Sequence, residues 1–442
     1  MQRRQARPRL LQAMFDALRI PDLRRRVLFT IGMLAIFRFI AHVPLPGVDP
    51  AALQALFQRN ALLGMLDLFS GGAMRYFSVV AMGVYPYITA SIVMQLMVPI
   101  IPRLQALSQE GEAGTNKINQ YTHWLTLPMA AVASYGQIIL LQREGVVVSA
   151  TGLPMAAMVL SMIAGTMFLV WLGELITEYG IGNGVSIIIF GGIVAALPTM
   201  IGQVRLAAVA GAGLSRYVPV VAFIAVVVVT MAVIVIFTEA HRRIPVQYAR
   251  SVFRGGRMYR QAGSTHIPLR VNTAGMIPLI FAMSLVIFPG MIASYFAAPT
   301  ATGAAPNFAN TIQNLFSPSS MFYWGLYFVL VIAFTFFYTM VIFGQQDLPG
   351  VLQRQGGFIP GIRPGKHTAD YLNQVIKRIT WAGALFLAVV AIVPFLSQKV
   401  IPNIQVVQLS SMGLLIMVGV ILDTMKQIEA QLVMRRYEGF IK

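Results

Sequence analysis

Glycine-rich turns, paired acids and clustered arginines are the residues of this chain whose types and spacing could do chemistry. Gln109-Glu110-Gly111-Glu112-Ala113-Gly114 has the glycines of a phosphate loop, but no Gly-Lys-Ser/Thr follows to hold a phosphate. Tyr179-Gly180-Ile181-Gly182-Asn183-Gly184 has the alternating glycines of a dinucleotide turn, yet no soluble strand precedes it. Its glycines are expected to stop one helix, with Asn183 capping the next. Glu174 and Glu178 stand one turn apart just before it, where carboxylates either couple a proton or are wetted by a membrane interface. The five histidines lack metal-ligand spacing, no two aspartates face each other within an apolar run, and cysteine is absent. Disulfides, thiolate metal sites and cysteine nucleophiles are thereby excluded, and neither a catalytic set nor a cofactor is expected.

Recognition chemistry is better represented. Between 239 and 271 the chain places Arg242, Arg243, Arg250, Arg254, Arg257, Arg260 and Arg270 against a single acid, Glu239. Tyr248, Phe253 and Tyr259 flank Gly255-Gly256, which reads as a short hairpin. Such a run is either a solvated face that fixes topology or a docking surface for an acidic or RNA partner. Between 344 and 375, the Gly- and Pro-rich run from Gly356 to Lys366 is expected to form a rigid turn with Arg363 at its tip.

The elements that must position these residues are apolar. Of 442 residues, 57% are hydrophobic and 11% charged, a polytopic membrane composition. Ten spans are expected, near 27–43, 74–98, 122–141, 153–174, 183–202, 217–238, 272–293, 321–343, 376–396 and 406–425. Eight of the 33 basic residues precede the first span and seven lie between 239 and 271. Most of the rest fall on the same side, so the positive-inside rule places both termini in the cytoplasm. The fold class is therefore all-α, with ten transmembrane helices. Five spans followed by five invert the second half relative to the first.

The domains expected are a cytoplasmic segment 1–26, a first half 27–202, an outer loop 203–216, a second half 217–425 and a cytoplasmic tail 426–442. Segment 1–26 reads equally as an amphipathic helix on anionic lipid or as a topogenic tail. The basic run before the first apolar segment is followed by His42-Val43-Pro44-Leu45-Pro46 rather than a cleavage site, so that segment is expected to stay as a signal anchor.

The stretch Leu62-Leu63-Gly64-Met65-Leu66-Asp67-Leu68-Phe69-Ser70-Gly71-Gly72 breaks the pattern. Its apolar portion is too short to cross a bilayer and ends in paired glycines, so it suits a protein cavity rather than lipid. It reads as a movable stopper ahead of a full span, within which Pro86 is expected to make a kink. Val84 and Ile88 share one face, as do Val185 and Ile189. The seventh span is expected to open at Asn272 and to be interrupted by Pro278.

These motifs resemble the SecY family of protein-translocation channels. They are Pro44-Leu45-Pro46-Gly47, Leu66 to Gly72, Pro86-Tyr87-Ile88-Thr89-Ala90-Ser91-Ile92, Gly180 to Gly184, Arg243-Ile244-Pro245, Asn272 to Pro278, Pro360 to Gly365 and Arg436-Tyr437-Glu438-Gly439-Phe440. The resemblance implies a central hourglass pore with a plug at 62–72 and a pore ring of Val84, Ile88, Val185, Ile189, Ile280 and Ile416. The residues alone favour ordinary helix-packing positions for these six. The resemblance further implies a lateral gate with Gln95 and Asn272 among its polar positions. It makes the basic loops, at Arg250, Arg257 and Arg363, a docking surface for the SecA motor and the ribosome with its RNA. The implied partners also include SecE and SecG, signal sequences, unfolded polypeptide and membrane lipid, at the bacterial plasma membrane. Gly344 to Gly350 departs from the usual entry to the second basic loop. An inverted-repeat secondary transporter is the alternative. It needs ionisable groups at mid-membrane, whereas the span centres here hold almost no charge; Arg38 and Arg75 lie toward span ends. Alkaline-phosphatase fusions should be active within 294–320 and inactive within 239–271; the reverse pattern would refute the topology.

Overall fold

The computed structural model describes residues 20–59, 67, 70–147, 152–210, 218–254, 257–275, 277–296, 308–318, 320–346, 348–363, 365–400, 413, 416–429 and 431. The first helices are α1 (Pro21–Ile40), α2 (Pro50–Arg59), α3 (Tyr85–Met97), α4 (Pro102–Gln109), α5 (Glu112–Arg143), α6 (Leu153–Tyr179), α7 (Gly184–Ala210) and α8 (Val218–Glu239). Two long strands follow, β1 (His241–Arg254) and β2 (Arg257–Arg270). The chain continues through α9 (Ile277–Phe296), α10 (Phe308–Leu315), α11 (Met321–Gln346), α12 (Leu348–Arg354), β3 (Gly357–Phe358) and α13 (Lys366–Val400), and residues 416–429 are helical.

Among the described residues, four helices are long and apolar enough to cross a membrane: Glu112–Arg143, Leu153–Tyr179, Met321–Arg354 and Lys366–Val393. A fifth span counts if α3 and α4, bent by 99°, are taken as one. Helices also occupy the expected positions of spans one, five, six and seven. Helix α7 runs on to Ala210, past the expected end at 202.

The second span differs most from expectation. Its helix begins at Tyr85, and residues 74–84 form a 3-10 turn and a series of tight turns. Phe77 and Gly83 both hold positive φ, at 42° and 57°, which no continuous helix tolerates. Pro86 therefore sits in the first turn of α3, where its missing N–H has no acceptor to lose, and makes no kink. Pro278 likewise lies in the first turn of α9 and does not interrupt it; the interior proline of that helix is Pro289. Asn183 does cap α7, accepting from the Ser186 N–H at 3.1 Å, and α6 ends at Tyr179 ahead of Gly180.

The irregular stretch finds its hydrogen bonds in the chain just after α1. Leu45 N–H donates to the Phe77 carbonyl at 3.0 Å, Val79 N–H donates to the Val43 carbonyl at 3.1 Å, and Pro44 pairs with Ser78 as an isolated bridge. This satisfies backbone that would otherwise be stranded away from water. Helix α6 closes over it, with Gly165 against the Val79 carbonyl.

The hairpin is longer than expected. β1 and β2 pair antiparallel along 14 residues each, from His241 opposite Arg270 to Arg254 opposite Arg257. The Gly255-Gly256 turn lies outside the described residues. A third strand was not expected: β3 joins β1 through Gln247–Phe358 and Tyr248–Gly357, making one sheet of the two basic loops.

A Cβ added at Gly165 would meet the Val79 carbonyl, which cannot turn aside. Gly165→Ala should cost about 1–3 kcal/mol. Gly202→Ala, with open space around it, should be neutral. Thermal unfolding of the purified protein separates the two.

Candidate functional site: a cavity over an aliphatic constriction

A cavity of about 560 Å³ opens at the end of the molecule that carries the hairpin. Arg270, Thr238, Asp423 and Lys426 line its mouth region, and Ile189, Ile280, Phe386, Leu387 and Ile416 give it apolar walls. Lys426 closes an ion pair with Glu239 at 2.8 Å, tying residues 416–429 to the end of α8.

The six expected ring residues come from separate stretches. Val84, Ile88, Ile189 and Ile416 are buried members of one extended apolar cluster of the helical body, and Val185 and Ile280 are partly buried at the edge of that cluster. Val84 caps the start of α3 and accepts from the Ile88 N–H at 3.0 Å, so the late start of this helix sets the position of both. Three of the six, Ile189, Ile280 and Ile416, also line the cavity. An apolar constriction excludes ions because water leaves it, and it yields to a passing apolar or extended chain.

Of the expected plug, Asp67, Ser70, Gly71 and Gly72 lie within the described residues; Leu62, Leu63, Gly64, Met65, Leu66, Leu68 and Phe69 lie outside them. Asp67 is buried, at 4% exposure. Its Oδ2 accepts from Arg75 Nε at 2.6 Å, and its Oδ1 accepts from the Arg75 N–H and the Ser70 hydroxyl, both at 3.3 Å. Gly72 N–H donates to the Asp67 carbonyl at 2.9 Å, and Met74 N–H donates to Ser70 Oγ at 3.1 Å. Burial pushes the Asp67 carboxyl above the ordinary carboxylate range, and the Arg75 guanidinium draws it back down.

The two polar residues expected at the gate have different surroundings. Gln95 donates to Ser91 Oγ on its own helix at 3.3 Å, while Asn272 is buried and lines the cavity. Helix α9 packs against α3 and α5, and the polar link across that seam is Tyr85, whose hydroxyl lies 3.5 Å from the Ser284 carbonyl. No sequence pattern marked Tyr85, because its role depends on which helix faces it.

Arg363 is exposed. Its carbonyl accepts from Thr368 Oγ1 at 2.9 Å, and Gly361 and Gly365 hold positive φ of 83° and 96° on either side. Beneath it an apolar cluster of Ile244, Val246, Leu269, Leu352, Ile359 and Leu372 welds the sheet to α12 and α13. Gly357 lets this pack, since a Cβ there would meet the Tyr248 ring at 2.8 Å. Arg250 and Arg257 lie on β1 and β2, opposite Gln261 and Arg254.

Glu174, the acid that could have coupled a proton, lies beside His123 Nε2 at 3.0 Å and does not line the cavity. Among the described residues no group of three or more His, Cys, Asp or Glu could hold a metal.

Comparisons with known proteins agree with one another. A sequence-family profile described as SecY matches residues 78–425. The protein translocase subunit SecY of Halalkalibacterium halodurans is 42% identical over 441 residues, covering 98% of this chain and all of that one. A solved SecY channel, described as having a plug domain that stabilises its closed state and maintains a membrane seal, superposes with a TM-score of 0.60 at 17% identity, over 95% of this chain and 97% of its own. Sec61 in the canine ribosome-channel complex of the endoplasmic reticulum superposes at 0.60 and 15% identity, over 95% and 97%.

Removing the Arg75 side chain takes the charged partner from a buried carboxylate that keeps only the Ser70 hydroxyl and one backbone N–H, a loss of about 1–3 kcal/mol. Arg75→Leu should therefore unfold at markedly lower temperature, and adding Asp67→Asn should restore most of the loss. Equal melting temperatures for Arg75→Leu and the wild-type protein would show that the pair does not hold this turn.

Proposed function

The chain belongs to the SecY family, and from that premise we propose how its elements divide the work of a gated polypeptide channel. It is a protein translocase subunit, a membrane channel rather than an enzyme, with the mostly helical fold of the SecY and Sec61 channels. The observation that carries the finer reading is that Ile189, Ile280 and Ile416, from three separate stretches, line one cavity, while Val84, Ile88 and Val185 belong to or border the same apolar cluster.

In this reading the cavity is the inner vestibule and the six aliphatic residues are the ring that seals the closed pore. A hydrophobic ring dewets and so holds back ions, while flexible Ile and Val side chains move aside around an extended chain. Residues 62–72 are the plug on the far side of that ring. The seam of α9 against α3 and α5 is the lateral gate, through which an apolar segment leaves sideways into lipid. A transmembrane segment displaces polar links such as Tyr85–Ser284 at little cost, because each is worth about 1 kcal/mol.

The ten spans form two inverted five-helix halves, with both termini on the cytoplasmic side of the bacterial plasma membrane. Work comes from outside, from the ribosome or the SecA motor, and SecE and SecG brace the halves. The joined sheet of the two basic loops, with Arg363 held on a packed base, gives such partners a rigid cationic landing site. A solved structure with the same fold is Sec61 in a ribosome-channel complex, which supports the ribosome as a partner. A coupled transporter is not favoured, since Glu174 is engaged with His123 away from the cavity.

Single-channel conductance in planar bilayers tests the reading, with the chain reconstituted beside its small subunits. The intact channel should be silent and a deletion of Leu62 to Gly72 should conduct. Silence from a folded deletion would overturn the plug assignment.

A further inference from the structure

Both roots of the basic hairpin meet one helix through charged side chains. The roots are closed on each other: His241 stands opposite Arg270, and Val271 N–H donates to the Ala240 carbonyl at 2.9 Å. Glu239, the last residue of α8, forms its ion pair with Lys426 Nζ at 2.8 Å, on the helix of residues 416–429. One turn earlier on that helix, Asp423 stands within electrostatic reach of Lys426 and of Arg270, the last residue of β2. A cation beside the carboxy-terminal end of α8 is also favoured by the helix dipole.

The same helix reaches two other places. At its start Ile416, Met417 and Val418 are buried in the apolar cluster that also holds Val84, Ile88 and Ile189. Further on, Ile428 packs with Leu23 of α1 and with Ile181, and Thr424 stands against Gly182, where a Cβ would meet its Oγ1 at 3.0 Å. Ile181 and Gly182 belong to the turn that joins α6 to α7. The helix is thus wedged between the hairpin on one side and α1 with that turn on the other. Ile416 lies about 15 Å along the axis from Lys426, at a helical rise of about 1.5 Å per residue. A hydrogen-bonded helix is stiff along its axis, so a push at Lys426 is felt at Ile416. The Glu239–Lys426 pair is partly exposed and contributes little to stability, so breaking it should leave the fold intact.

We propose that residues 416–429 form a strut between the hairpin and the constriction, with Lys426 its positioning residue: held by Glu239, it makes the helix follow the hairpin, so that a partner pressing on the hairpin displaces Ile416. This rests on the reading of the hairpin as a docking surface and of Ile416 as a ring residue, and it goes beyond that reading by naming the joint that links them.

Proteoliposomes holding the full chain and its small subunits are offered ribosomes translating a secretory chain. Ribosome binding is read by co-flotation, and passage of the chain by protease protection. Lys426→Glu, which sets a carboxylate against Glu239, should leave binding unchanged and lower passage about ten-fold, an ordinary size for coupling between two sites. The double reversal, Lys426→Glu with Glu239→Lys, should restore most of the passage. Passage at the wild-type level in Lys426→Glu overturns the strut. So does loss of ribosome binding in step with passage, which would place the pair in the docking surface itself. A lowered melting temperature in Lys426→Glu, with no recovery of passage in the double reversal, reduces the pair to a structural contact and overturns the coupling as well. Unchanged ribosome binding in the double variant Arg250→Glu with Arg257→Glu overturns the docking reading, and the strut with it.

Discussion

The constraint on which the rest of this structure depends is that backbone inside a membrane protein must find its hydrogen bonds within the protein. A helix meets that demand by itself. The stretch from 70 to 84 is not a helix and meets it by pairing with residues 43–45, by its own tight turns, and by the Arg38 guanidinium. Those bonds fix where helix α3 begins, and that start fixes Val84 and Ile88. The close packing of Gly165 and Gly192 belongs to the same arrangement, because helices α6 and α7 must approach bare backbone rather than side chains.

The two ends of the molecule use different chemistry for different tasks. In the cluster that holds Val84, Ile189 and Ile416 the buried side chains are uncharged, a mixture of aliphatic and aromatic residues. At the hairpin end the arginines stand on a sheet and a helix pair with their own apolar base. That base is separate from the main cluster, so a partner pressing on the sheet meets a rigid body. The cavity lies where the two meet, with Arg270 and Lys426 near its mouth and isoleucines in its walls.

Much of this was legible in the sequence. Long apolar runs read as spans, and four of them are helices long and apolar enough to cross a membrane among the described residues. The hairpin was legible from Gly255-Gly256 between aromatic residues, and the cap at Asn183 from the glycines before it. Helix starts were less legible. A proline looks the same to a periodicity argument whether it begins a helix or breaks one, so Pro86 and Pro278 read as interruptions. The preceding turns that make them first-turn residues depend on contacts with distant stretches of the chain. Gln95 was legible as a polar residue in an apolar helix, but not which partner it would choose; Asn272 read as the opening of the seventh span, whereas it lies in the irregular stretch ahead of α9, which begins at Ile277.

The sequence by itself determined the class of the protein, a mostly helical membrane channel, and the family that its motifs carry. These follow from composition and local order, which every residue reports independently. Tertiary structure alone decided that β3 of the second basic loop completes the sheet of the first, that Tyr85 rather than Gln95 reaches across to α9, and that Arg38 closes on Gly71. Each joins residues far apart in the chain through one bond or one close contact. Local pattern holds no record of such distances, because they are set by how the helices pack.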